Sequence, residues 1–187
     1  LSKDDYRRKR AVLLTARAQA LAEIDRDEAL RSVLEAVKLA PDLTPAAAMA
    51  GRRLAEAGER RKAARILEAA WRAHPHPDIA EAYADLRFGD TARDRLSRVQ
   101  KLADKLPGQL EGALAVARAA LDAREFAVAR GALAPFVTAP TRRVATLMAA
   151  IEEAEHGATG RVREWMARAV RATGDPVWTA DGVVSDR

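Results

Sequence analysis

Along residues 62–75 the chain reads KAARILEAAWRAHP, and its apolar positions Ala63, Leu67 and Ala70 recur at steps of four and three. Such steps place the three on one side of an α-helix and leave the Arg and Lys positions on the other. The same offsets occur 34 residues earlier at Ala29, Val33 and Ala36, and each copy ends on a proline, Pro41 and Pro75. Further copies start at Ala129 and Val162, so matching positions lie 34, 66 and 33 residues apart. A fixed period in this range marks stacked helix pairs, because one pair cannot bury its apolar face alone.

The boundary signals agree with that reading. Ser2 and Asp5 form a capping box that opens a helix from Lys3 to about Ala22. A second helix covers about 28–39 and stops before Pro41. Thr44 is the expected N-cap of a helix over 44–58, with Pro45 at its first position and Gly58 closing it. Its partner ends at the HPHP string of His74 to Pro77. A short helix at 78–87 and another at 91–106 follow, then 109–123 with 126–137, and 142–156 with 160–172. The pattern predicts an all-α fold, a right-handed α-solenoid of about five antiparallel helix pairs over residues 1–175. The third pair carries a deletion and is the least regular. Residues 176–187 are expected to form a tail in which Trp178 folds back to cap the last pair.

Composition suits this fold. Hydrophobic residues make up 49% of the 187 but aromatics only 4%, and alanine supplies much of the apolar share. Alanine is the best helix former and lets backbones approach, whereas strands need the β-branched and aromatic residues that are scarce here. Lys and Arg total 32 against 27 Asp and Glu, a net charge of +5 on a highly charged surface. With no concentrated basic run interleaved with aromatics, nucleic acid is not an expected partner. The lack of cysteine excludes disulfides and thiol chemistry. No run reaches the roughly 20 apolar residues of a membrane-spanning helix. The chain opens at Leu1 and is expected to be part of a longer protein.

These residues resemble the tetratricopeptide repeat, and the second pair is the best copy. Gly51 stands where its helices cross closely, Gly58 in the turn, and Ala63 and Ala70 at the small packing positions. Ala29 with Ala36, Phe126 with Ala129 and Leu133, and Gly157 with Val162 and Ala169 give weaker copies in the same register, over about 165 residues. The resemblance implies a concave face lined by the first helix of each pair. It assigns Leu14, Ala18 and Leu21 to that face, then Arg52 and Ala55, then Leu114, Arg118 and Leu121, and last Leu147 and Ile151. This departs from the Lys/Asn clamp that some members use for C-terminal carboxylates. It offers apolar surface with two arginines, suited to an amphipathic partner helix whose acidic groups meet Arg52 and Arg118. The alternative is that some of these side chains are buried between helices.

Candidate chemistry is thin. His74 and His76 are too few and too close for a metal or haem site without a third ligand, and read instead as an inter-repeat turn with exposed imidazoles. His156, beside Gly157, suits a helix C-terminus, and Glu152, Glu153 and Glu155 read as a solvated face. Trp71 and Trp165 are expected in the packing between helices. No nucleophile with a base, no phosphate-binding loop and no cofactor motif is present, so no catalytic residue, metal or cofactor is expected.

A narrower resemblance is to the HemY-like family of bacterial membrane-anchored proteins, carried by RRKRAVLLTARA, PHPDIAEAYA and the tail GDPVWTADGVVSDR. It implies an anchor upstream and the inner membrane as location. The cluster Arg7, Arg8, Lys9 and Arg10 would then lie beside anionic lipid, at about 1 kcal/mol per charge; otherwise it is a solvated helix face near Asp4 and Asp5. The function expected from the resemblance is a protein-binding scaffold that organises enzymes of tetrapyrrole or haem synthesis. An envelope-assembly scaffold and a porphyrin held in the concave groove stay open beside it.

Overall fold

The computed structural model describes residues 2–175, 178–180 and 183–185. Ten α-helices run in order among them: α1 (Lys3–Leu21), α2 (Arg26–Leu39), α3 (Thr44–Glu56), α4 (Arg60–Ala73), α5 (Pro77–Ala84), α6 (Ala92–Ala103), α7 (Leu110–Asp122), α8 (Phe126–Leu133), α9 (Arg142–His156) and α10 (Gly160–Arg171). Each odd-numbered helix packs on the even one that follows it, and α3, α5, α7 and α9 stack along the molecule. The fold is an α-solenoid of five helix pairs. None of the described helices is long and apolar enough to cross a membrane.

Local chemistry sets the ends. Ser2 and Asp5 close a capping box on α1, and Thr91 and Asp94 close another on α6. The Asp25 side chain accepts from the backbone N–H of Glu28 at 3.0 Å to start α2. Thr44 is not a cap: it is the first residue of α3, after Leu43, and Pro45 follows inside the first turn. The pair turns use a left-handed residue, Gly58 between α3 and α4 and Gly157 between α9 and α10. At the same place between α7 and α8 stands Arg124, the one non-glycine with positive φ, at 57°, among the described residues.

Packing follows the alanine pattern. Ala29, Val33 and Ala36 on α2, and Ala63, Leu67 and Ala70 on α4, are all buried. A Cβ added to Gly51 would come within 2.7 Å of the Leu67 side chain, so glycine sets the close crossing of α3 and α4. The core is continuous from end to end. Leu30, Leu34 and Ile66 join the first cluster to the second, and Ala115 joins the second to the third. Trp71 is fully buried, as expected, and its ring reaches across the short third pair to Gly112 of α7.

Three further expectations are corrected. His76 is buried rather than exposed, and its Nδ1 accepts from the Asp78 N–H at 3.0 Å as the N-cap of α5; His74 is exposed. Glu152 is likewise buried rather than solvated, held by Arg130 at 3.0 Å, because α8 lies across that side of α9. Beyond α10, strands β1 (Trp178–Ala180) and β2 (Val183–Ser185) pair antiparallel, an addition to the all-α pattern. The Trp178 side chain, and with it the expected cap, lies outside the described residues. The tail is tied down at its start, where Asp175 accepts from the Arg143 N–H at 3.0 Å.

Candidate functional site

A groove of about 670 Å³ opens between α5, α6, α7 and α9. On α7, Glu111, Ala115, Arg118 and Asp122 face it at steps of four, three and four, so one side of a single helix forms its long wall. Ala80 and Ala84 of α5 and Val99 of α6 add apolar surface, and Leu114 forms part of the floor.

Most groove charges are already matched. Arg143 from α9 grips Glu111 through two parallel bonds, 2.5 and 3.0 Å long, a bidentate pair that fixes both side chains. The Glu111 carboxylate also holds the Arg143 guanidinium up, further into its charged range. Arg95 meets Asp85 at 2.6 Å, and Arg52 meets Glu81 at 3.5 Å on the α3 side. Arg118 is exposed and has no ion pair among the described residues, nor has Asp122 one turn along. Below the groove, the Tyr83 hydroxyl donates to Glu68 at 2.7 Å; burial first, then that carboxylate, pushes its pKa well above the ordinary tyrosine value.

The ten residues assigned to the concave face separate into three groups. Arg118 and Leu114 line the groove, and Arg52 reaches its edge through Glu81. Ala18, Leu147 and Ile151 are buried in the core, and Leu114 shows only 2% of its surface. Ala18, Leu147 and Ile151 are corrected from groove surface to packing positions, and Leu114 is chiefly a packing residue that meets the groove floor with little of its surface. The strongest apolar stripe of a first helix is the one that meets its own partner, so the groove face lies next to that stripe. Leu14 packs in the first cluster, Ala55 in the second and Leu121 in the third, each half-buried, and Leu21 is half-buried too. Sequence reasoning missed Arg95, Glu111 and Arg143. The signal for the last two was available: they are 32 residues apart, close to one period, with opposite charge.

The basic cluster on α1 is divided in the same way. Arg8 binds Asp42 at 2.9 Å and Arg10 binds Glu35 at 2.6 Å, so half of the cluster fastens α1 to its neighbours. Among the described residues no group of three His, Cys, Asp or Glu side chains is placed to hold a metal.

No protein-family model matches the chain. A curated relative, described as the probable magnetosome protein Mms48 of Magnetospirillum gryphiswaldense, is 30% identical over 171 residues. That match takes in 90% of this chain but only 38% of the relative's length. A crystal structure of a tetratricopeptide repeat protein from Parabacteroides merdae aligns with a TM-score of 0.48 and 16% identity, over 86% of this chain and 64% of the other.

Proposed function

We propose that the chain is a protein-interaction scaffold whose groove takes a short segment of a partner, most simply an amphipathic helix. Apolar side chains of that segment would lie on Ala115 and Ala119, and one carboxylate would meet Arg118. The observation that carries this reading is the state of the arginines. Arg143, Arg95 and Arg52 are held by acids of the fold, and Arg118 alone among the groove arginines is left for a ligand. A carboxylate there forms a charge-assisted bond in partly desolvated surroundings, worth about 1.5–3 kcal/mol.

The finer reading places this scaffold on a HemY-like protein anchored in the inner membrane, organising enzymes of tetrapyrrole synthesis. Its support is the three sequence strings. The relative is described as a probable magnetosome protein, a description with no mention of tetrapyrroles, which keeps envelope assembly as the second reading.

Affinity capture of the native protein from its own membranes tests both levels. Arg118→Glu is expected to lose the partners that wild type retains, while Arg171→Glu on α10 keeps them. Haem-pathway enzymes among the partners would support the finer reading, and assembly factors alone would replace it. Equal capture by all three proteins would remove the groove from consideration.

A further inference from the structure

The chain has no long basic run, yet the fold gathers cations on one helix. Arg60, Arg61, Lys62, Arg65 and Arg72 of α4 are all exposed, and none forms an ion pair among the described residues. On several other helices cations meet acids of the fold, as Arg31 meets Glu28, Arg53 meets Glu56, Arg98 meets Asp90, and Arg130 meets Glu152 with Glu155. Helix α10 also carries Arg161, Arg163 and Arg171 exposed and without an ion pair among the described residues. Steps of four and seven residues put Arg61, Arg65 and Arg72 in one line along the helix. The acid within that line, Glu68, is occupied by the Tyr83 hydroxyl and by Lys105 at 3.5 Å.

The helix itself gains nothing from the arrangement. Arg60, Arg61 and Lys62 stand in its first turn, at the positive end of the helix dipole, where cations are unfavourable. The equivalent turn of α2 carries Asp27 and Glu28 instead, and that of α10 carries Arg161 and Arg163 with no acid. Glu59 at the N-cap is the acid beside these three cations, and the line of Arg61, Arg65 and Arg72 is left open to charges from outside the fold.

We infer that the outward face of α4 docks an acidic segment of a partner protein, with Arg61, Arg65 and Arg72 as the line of contact. Guanidinium groups match carboxylates in paired geometry, and the line spans roughly 16 Å, room for three or four acidic side chains. Nucleic acid fits less well, because the one aromatic residue of α4, Trp71, is fully buried and no base can stack on it. No α4 residue lines the groove, so this surface is separate from the one proposed above and goes beyond it.

The test is fluorescence anisotropy of the full chain at low salt with a labelled alanine-based helical peptide. The peptide carries Glu at positions that match Arg61, Arg65 and Arg72. Arg61→Glu with Arg65→Glu is expected to weaken binding at least about tenfold. Arg163→Glu with Arg171→Glu on α10, an equal change in net charge, leaves it within about twofold. Arg61→Glu by itself should raise the melting temperature, since it removes a cation from the dipole's positive end, so lost binding cannot be ascribed to unfolding. Arg118→Glu should leave this peptide bound, which separates failure here from failure of the groove. No binding by wild type, equal loss in both double variants, or tighter binding of a single-stranded DNA of similar length would overturn the inference.

Discussion

Gly51 and Arg124 show opposite uses of backbone freedom. At Gly51 the missing Cβ is what lets Leu67 in, at a place where a mid-helix glycine otherwise costs stability. Gly51→Ala is therefore expected to destabilise the fold by about 1–2 kcal/mol, overpacking outweighing the propensity gain. In the Leu67→Ala background the same change should cost much less, and denaturant unfolding of the four proteins measures the coupling. Arg124 holds a left-handed conformation that the α3–α4 turn reaches with Gly58. Arg124→Gly is expected to stabilise by about 1 kcal/mol, less whatever its 5.2 Å stacking on Phe126 contributes. Gly51 was legible in the sequence because the resemblance to the tetratricopeptide repeat put it at the close helix crossing. The burial of His76 was not, because a capping imidazole and an exposed one look the same in a string of prolines.

Between elements, the pairing of α8 with α9 depends on a buried acid. Glu152 is 4% exposed and Arg130 is its cation, with Glu155 sharing the guanidinium. Arg130→Met should cost about 2 kcal/mol by stranding that carboxylate, and adding Glu152→Leu should recover most of the loss. The helix starts carry their own pH dependence. Bonds from Ser2 and Thr91 hold Asp5 and Asp94 below the ordinary value of 3.8. Their contribution is present above that pH and is lost as pH falls through the lower folded values. The stability difference between wild type and Asp94→Asn should thus shrink as pH drops below 3.8, which thermal unfolding across pH would show. Element positions were readable because caps, prolines and glycines are local signals. The role of Glu152 was not, because it is set by a helix that packs across from elsewhere in the chain.

For the whole molecule, the period fixed the number of pairs and the position of the irregular third one. The groove was less legible. Arg118 came from repeat register, but Arg95 belongs to α6 in that third pair, where the register fails. The account predicts that a partner lies along α7 in this groove. A photo-reactive phenylalanine analogue at Ala119, on the groove wall, tests this in the native protein, with Ala127 on α8 as the exposed comparison. A crosslinked partner from position 119, lost with Arg118→Glu and missing from position 127, is the predicted result. Adducts from position 127 with none from 119 would place binding elsewhere and contradict the account.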